Sequence, residues 1–102
     1  MTALRALCYP ARAEATAFRI INDEAVILNL DSGVYYSLNE VGSRIWNLCD
    51  GSNNIGDITA AVCKEFEVGP ETAQKDVLEV MADLIKEGLV VIHENPAPAR
   101  SD

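Results

Sequence analysis

Three short runs of β-branched and aromatic residues lead the folded part of the chain, the composition that strands prefer. The runs cover residues 16–21, 25–30 and 34–38, and polar residues separate them. The connection between the second and third runs ends in Gly33, which suits a hairpin whose last loop residue needs a positive φ. This pattern predicts a three-stranded antiparallel meander.

After the third run, apolar positions recur every three to four residues, which is typical of helices. Asn39 is the expected N-cap of the first helix. Asn54 is the expected N-cap of the second helix, with Asp57 placed to complete a capping box. A third helix is expected to begin at Pro70 and to end before Gly88. Apolar residues 89–93 then predict a short strand.

The order of strands, three helices and a short strand predicts an α+β domain of the winged helix-turn-helix type over residues 16–94. Residues 1–15 are rich in alanine and lack periodicity, so we expect a flexible N-terminal arm. Residues 95–102 contain Pro96 and Pro98, and we expect a disordered tail there.

Composition fits a single globular domain, with 49% hydrophobic and 24% charged residues among 102. The net charge is −8, which disfavours nucleic acid and anionic lipid as partners. The chain shows neither a run of ~20 apolar residues nor a signal peptide, and its three cysteines contain no Cys-x-x-Cys pair. We therefore expect a cytoplasmic protein in which the cysteines are small buried hydrophobic residues.

Chemistry-bearing motifs are scarce in this sequence. His93 is the single histidine and stands beside the expected tail, where no neighbouring nucleophile completes a dyad. No Cys/His set has metal-ligand spacing, and no glycine-rich phosphate loop occurs. We expect neither an enzyme nor a bound metal or cofactor.

The third helix has a mixed shoulder beside its apolar stripe. The residues of that shoulder are Ala73, Asp76, Val80, Asp83 and Glu87. Such a shoulder is either a solvated face or one wall of a groove with an apolar floor and a charged rim. Residues 70–87 hold five acids and two lysines, so a DNA-reading role would meet phosphate repulsion. A winged-helix transcription regulator that binds DNA is therefore the alternative function.

Several short motifs, in their order and spacing, resemble the PqqD family, pyrroloquinoline quinone (PQQ) biosynthesis protein D and its relatives. They are Leu38-Asn39, Gly42, Ile45-Trp46, Asp50-Gly51, Pro70-Glu71-Thr72-Ala73, Asp76-Val77, Leu84 and Gly88-Leu89-Val90. The resemblance implies a non-catalytic peptide chaperone, a recognition element that binds the leader segment of a ribosomally made precursor peptide. It also implies presentation of that peptide to a modifying enzyme, often a radical SAM protein.

The resemblance further implies that the leader adds as a strand to the third strand and lies against the third helix. By position, the peptide-binding residues are then Val34, Tyr35, Tyr36, Ser37, Leu38, Ala73, Asp76, Val80, Asp83 and Glu87. Strand addition needs side-chain anchors, so we expect an apolar slot beside Val80, with Asp76 and Asp83 selecting a basic leader residue.

Three questions stay open at the level of the sequence. Alternation sends Tyr35 and Tyr36 to opposite faces, and either could face the peptide. An exposed strand edge could also pair with its own copy, which leaves a homodimer or an assembly subunit as a further alternative. The pathway is open as well, since PQQ, lasso-peptide and radical-SAM peptide pathways all use relatives of this fold.

Overall fold

The structure, a computed structural model, describes residues 6–96. These residues form an α+β domain in which a meander precedes three helices and a short strand, which confirms the predicted fold class. In chain order the elements are β1 (Tyr9–Arg12), β2 (Thr16–Ile21), β3 (Glu24–Asn29), β4 (Tyr35–Leu38), α1 (Glu40–Leu48), α2 (Ile55–Phe66), α3 (Pro70–Lys86) and β5 (Val90–His93).

The meander has the strand order β2-β3-β4, so β3 is central and both β2 and β4 are edge strands. A two-residue turn joins β2 to β3, and Asn22 and Asp23 both have positive φ, at 51° and 66°. Two positive φ values are typical of the type I′ turn, whose twist matches that of paired strands. Between β3 and β4, Gly33 has a φ of 74°, as its place at the end of the loop predicts.

The helices begin and end at their expected capping residues. Asn39 accepts a hydrogen bond from the first turn of α1, and Asn54 and Asp57 exchange hydrogen bonds at the start of α2. Pro70 is the first residue of α3, and Gly88 follows that helix with a φ of 72°. Local side-chain and backbone chemistry therefore sets the helix boundaries.

The core lies between the inner face of the meander and the three helices. Trp46 is fully buried in it, and the ring of Phe18 meets the Trp46 ring edge-on with centroids 5.4 Å apart. The guanidinium of Arg12 lies over both rings and donates a hydrogen bond to the carbonyl of Trp46. Other large buried side chains are Ile27, Ile45, Ile58, Met81 and Leu89.

The prediction of a flexible N-terminal arm is wrong for residues 9–12, because these residues form β1. β1 pairs with β5 in an antiparallel two-stranded sheet, with Tyr9 opposite His93 and Arg12 opposite Val90. The two strands come from opposite ends of the domain, so no local sequence pattern predicts their pairing. Residues 1–5 and 97–102, which hold part of the expected arm and most of the expected tail, lie outside the described residues.

None of the helices within residues 6–96 combines the length and the apolar character that crossing a bilayer requires.

Candidate functional site

β4 is the edge of the meander on which the sequence analysis places the site. It pairs with β3 on one side, and within residues 6–96 no strand pairs with its other side. The strand begins at Tyr35, whereas the sequence predicts a strand from Val34. Val34 instead closes the loop, and its carbonyl accepts a hydrogen bond from the backbone N–H of Asn29 at 3.0 Å.

The Asn29–Val34 bond shows which main-chain groups of β4 are free. Hydrogen-bonded pairs recur at every second residue of an antiparallel ladder. Tyr36 and Leu38 therefore direct their main-chain groups towards β3, and Tyr35 and Ser37 direct theirs away from it. The outer edge of β4 consequently offers the N–H and carbonyl groups of Tyr35 and Ser37 to an added strand.

The two tyrosines of β4 lie on opposite faces, and the structure distinguishes them. The side chain of Tyr35 is on the outer face of the meander and 67% exposed. Tyr36 and Leu38 are half-buried and pack against the core. Of the two tyrosines, Tyr36 is thus the one on the same face as the helices.

The predicted shoulder of α3 is present, with one correction. Val80 is half-buried and packs against the core, Asp76 and Glu87 are also half-buried, and Asp83 is exposed. Ala73 is fully buried in the core cluster. Its assignment to the binding wall is wrong because the first turn of α3 packs flush on the domain and leaves the small methyl group no access to the surface.

A pair of hydrogen bonds ties the end of α3 to the β3–β4 hairpin. The hydroxyl of Tyr36 donates to Oε2 of Glu87 at 2.5 Å, and Nδ2 of Asn29 donates to the main-chain carbonyl of Glu87 at 3.0 Å. Donation to Glu87, together with partial desolvation, raises the pKa of Tyr36 above its usual value. Glu87 is therefore engaged with the protein itself.

Asp76 and Asp83 differ from Glu87 in having no partner among residues 6–96. Among residues 6–96 the structure shows an ion pair between Arg44 and Glu65, at 2.7 Å, and neither of these side chains is on α3. The shoulder of α3 therefore presents two uncompensated carboxylates on either side of Val80, an arrangement suited to a basic group.

Two shallow cavities lie outside this region. One, of about 260 Å³, is lined by residues of β2, α1 and α2, and the other, of about 480 Å³, lies on the side of α3 that carries Leu78 and Ala82. Neither is lined by β4 or by Val80. The strip of surface between β4 and α3, where the slot beside Val80 is predicted, is thus part of neither cavity.

Sequence reasoning missed two residues that position β4. Asn29 orients the hairpin, since its Oδ1 accepts from the N–H groups of Asp31 and Ser32 while its amide reaches α3. Ser43 is buried, and its hydroxyl accepts from Ala25 N–H at 2.6 Å. The same hydroxyl donates to the Leu38 carbonyl at 3.1 Å. An asparagine before Asp31-Ser32-Gly33 is a usable turn signal, whereas nothing local marks Ser43.

These features define a small α+β domain of the winged helix-turn-helix type in which an edge strand, unpaired on its outer side within residues 6–96, is bonded to the end of the third helix. Two solved structures share the fold. "TbiB1 in Complex with the TbiA(beta) Leader Peptide" is 32% identical with a TM-score of 0.73, over 78% of this chain and 93% of that one. "Lasso peptide synthetase B1 complexed with the leader peptide" is 23% identical with a TM-score of 0.71, over 81% of this chain and 98% of that one. At 23% identity the second likeness shows the fold alone.

The chain belongs to the PqqD family, because the family model described as "Coenzyme PQQ synthesis protein D (PqqD)" matches residues 24–90. The match begins at β3 and ends at the start of β5, so it includes β4, α3 and every predicted site residue. A search of curated proteins gave no match.

Proposed function

We propose that this protein binds the leader segment of a ribosomally synthesised precursor peptide and holds it for a modifying enzyme, without catalysing a reaction itself. The observation that carries the proposal is the outer edge of β4, unpaired within residues 6–96, together with the Tyr36–Glu87 hydrogen bond that joins β4 to the end of the α3 shoulder. Membership of the PqqD family supports it, as do the two similar structures, each solved with a leader peptide.

Backbone pairing alone is too weak to hold a flexible leader. Ordering each peptide residue costs roughly 1–2 kcal/mol of backbone entropy. Each new hydrogen bond returns only about 1 kcal/mol. A buried aliphatic anchor adds about 1.5–3 kcal/mol, so one or two anchors decide the affinity. Val80 and Leu38, both half-buried and packed against the core, are the residues we assign to contact such an anchor.

The charges on the α3 shoulder set a second requirement for the leader. Asp76 and Asp83 flank Val80 without a partner among residues 6–96, whereas Glu87 is engaged by Tyr36. A leader with a basic residue near its apolar anchor fits this arrangement. The same acids oppose the alternative of a DNA-binding regulator, because α3 would have to approach phosphates.

The proposed partner is the enzyme that modifies the bound precursor, with a radical SAM protein as the expectation from the family. A PQQ precursor and a lasso-peptide precursor both fit the family description and the similar structures. The genes beside that of this protein, which would include a short peptide and an enzyme, distinguish these pathways.

Titration calorimetry tests the proposal, with the precursor peptide encoded beside the gene as ligand and the TbiA(beta) leader as a reference peptide. Val80→Asp is expected to abolish binding, because it places a charge on the anchor surface between two acids. Ile85→Asp is the matched control, since Ile85 is exposed on the other side of the same helix. That variant should bind as the wild type does.

The fluorescence of Trp46, the single tryptophan, shows in the same samples that each variant is folded. Equal affinity of wild type and Val80→Asp would contradict the anchor. Amide NMR shifts that spare residues 34–38 on adding the precursor would contradict strand addition. Salt-sensitive binding of duplex DNA would favour the regulator instead.

A further inference from the structure

The face of the meander that is turned away from the helices, its outer face, carries a row of apolar side chains. Among residues 6–96, Tyr36 and Leu38 of β4 pack against the core, so alternation places Tyr35 on the outer face. Tyr35 lies opposite Leu28 of β3, and Leu28 lies opposite Ala17 of β2. Directly opposite residues of antiparallel strands share a face, so these three side chains form what we call the apolar row.

A second row crosses the outer face two residues further along β4. Ser37 lies opposite Val26, and Val26 lies opposite Arg19. We call this the polar row, because a hydroxyl and a guanidinium stand at its two ends. Both rows end at the unpaired edge of β4. The apolar row ends in Tyr35, which is 67% exposed, and the polar row ends in Ser37, which is also exposed.

The main chain of β4 determines which leader side chains meet these rows. Tyr35 and Ser37 offer the outward N–H and carbonyl groups, and antiparallel pairing is slightly more stable per residue than parallel pairing. An antiparallel leader therefore forms its hydrogen-bonded pairs with these two residues. The two leader residues in those pairs are two positions apart. Both place their side chains on the outer face, with Cβ atoms about 4.5–5.5 Å from those of their partners on β4.

The leader residue between those two points the other way, towards α3. The α3 shoulder therefore contacts alternate leader residues, and the outer face receives the others. A strand that takes the main-chain groups of Tyr35 and Ser37 necessarily extends both rows. The leader itself is thus the occupant that the register assigns to this part of the outer face.

We propose that the outer face selects the leader sequence in addition to the α3 shoulder. Tyr35 pairs with an aromatic or β-branched leader residue, and Ser37 pairs with a serine or threonine two positions away. This inference rests on the proposed function and adds to it the chemical class of two leader residues. Both tyrosines of β4 then contribute to binding, because Tyr36 ties the strand to α3 through Glu87 and Tyr35 contacts the peptide.

The pairing preferences of antiparallel strands assign these residue classes. Aromatic–aromatic pairs, aromatic–β-branched pairs and pairs of hydroxyl residues are among the cross-strand pairs that stabilise a sheet. Covering the exposed ring of Tyr35 also removes apolar surface from water. The apolar row consists of a tyrosine, a leucine and an alanine, so a charged leader residue opposite Tyr35 gains no partner from it.

Double-mutant cycles between β4 and the leader test the two pairs. The probes are the precursor peptide encoded beside the gene and its single-alanine variants, titrated calorimetrically into wild type and Tyr35→Thr. Tyr35→Thr removes the ring and keeps a residue type that strands favour. It should weaken binding of the unchanged precursor about 2- to 10-fold. One leader position, aromatic or β-branched, should lose the effect of its alanine substitution in this variant.

Ser37→Ala should couple in the same way to a serine or threonine, two positions from the leader residue that couples to Tyr35. Tyr35→Phe keeps the ring and should bind as the wild type does. Ile21→Thr is the matched control, since Ile21 is 51% exposed on the outer face but lies on β2, outside both rows. It should leave the affinity unchanged, and the fluorescence of Trp46 shows that each variant is folded.

The outcomes separate this inference from the proposed function. Binding of the precursor that Val80→Asp abolishes and Tyr35→Thr leaves unchanged would overturn only the role of the outer face. Coupling of Tyr35 to a charged leader residue, or coupled positions for Tyr35 and Ser37 that are not two residues apart, would do the same. A precursor that fails to bind the wild type would overturn both.

Discussion

The hydroxyl of Tyr36 donates a 2.5 Å hydrogen bond to Oε2 of Glu87, and this bond joins the edge strand β4 to the C-terminal end of α3. The main chain of Glu87 is held as well, through the side chain of Asn29. Both strands of the β3–β4 hairpin are therefore hydrogen-bonded to the C-terminal end of α3. The strip between β4 and α3 is fixed at this end, so a peptide that enters it meets a preformed distance between strand and helix.

The first prediction concerns the pKa of Tyr36. Donation to Glu87 and partial desolvation raise this pKa, so Glu87→Gln should return it towards the usual value for tyrosine. NMR titration of ring-labelled tyrosine measures it, and Tyr36→Phe assigns the resonance. A folded-state pKa above the unfolded one stabilises the protein below the unfolded value, and the stabilisation is lost as pH rises through the folded value.

The stability difference between wild type and Tyr36→Phe should therefore be constant near neutral pH and shrink at alkaline pH. An unchanged Tyr36 titration in Glu87→Gln would show that the bond between the two side chains does not form in solution.

The second prediction concerns Ser43, whose buried hydroxyl links the N–H of Ala25 to the carbonyl of Leu38. Ser43→Ala should lower the free energy of unfolding by about 1–3 kcal/mol, because it leaves the buried Ala25 N–H without an acceptor. Denaturant unfolding followed by Trp46 fluorescence measures this. The end of β4 loses its tie to α1 as well, so leader affinity should fall with stability.

Thr59→Ala is the control for Ser43→Ala. The Thr59 hydroxyl bonds to the Ile55 carbonyl within α2, and that carbonyl keeps its helical partner when the hydroxyl is removed. Loss of the Thr59 hydroxyl should lower the free energy of unfolding by less than about 1 kcal/mol. Equal effects of the two variants would mean that Ala25 N–H finds another acceptor.

The sequence predicts those parts of the fold that are encoded within a few residues. Asn39 caps the first helix, the Asn54–Asp57 pair caps the second, and Gly33 takes the left-handed conformation. Each of these features depends on residues within one turn of the chain, so a short stretch of sequence predicts it. Alternation along β4 likewise places Tyr35 and Tyr36 on opposite faces. The family's pattern then supplied the identity of the edge, which periodicity alone does not give.

Features that depend on distant partners were not predictable in this way. β1 exists because β5 lies beside it, and a short segment containing Pro10 gives no strand signal by itself. Ala73 falls on the mixed shoulder by helical angle, but its burial depends on how closely α3 packs on the domain. Asn29 and Ser43 hold β4 through contacts with α3 and α1 that only the tertiary structure brings together.

The third prediction concerns the two carboxylates beside Val80. Asp83→Asn should weaken binding of a leader that carries a basic residue by up to about fivefold, the range of an exposed ion pair, and the loss should diminish at high salt. Titration calorimetry at two salt concentrations measures both effects. Asp76→Asn should act in the same direction.

Glu71→Gln is the matched control for the shoulder carboxylates, because Glu71 is exposed and lines the cavity on the side of α3 that carries Leu78 and Ala82. It changes the net charge by the same amount without touching the shoulder. If Glu71→Gln weakened binding as much as Asp83→Asn, the attraction would come from the overall charge of the protein and not from these two positions.

The fourth prediction concerns the reactivity of the cysteines. Burial raises the pKa of Cys49 to about 12 from an ordinary value of 9.0. Only the thiolate reacts with alkylating agents, so Cys49 should be labelled by iodoacetamide only as the domain unfolds. Cys8 and Cys63 are half-buried and should be labelled in the native protein. Mass spectrometry of peptides from native and urea-treated samples measures the three sites separately, and native labelling of Cys49 at the rate of Cys8 would contradict its burial.

The same pKa gives Cys49 a role in alkaline stability. Its folded-state pKa is raised, so the thiol stabilises the fold below the unfolded value of 9.0, and this contribution is lost as pH climbs from there towards about 12. Cys49→Ala removes the titrating group and leaves only a small cavity in the core. Wild type should therefore lose stability more steeply than Cys49→Ala above pH 9.0, as followed by urea unfolding at a series of pH values. Parallel curves for the two proteins would show that the thiol ionises in the folded state as readily as in the unfolded chain.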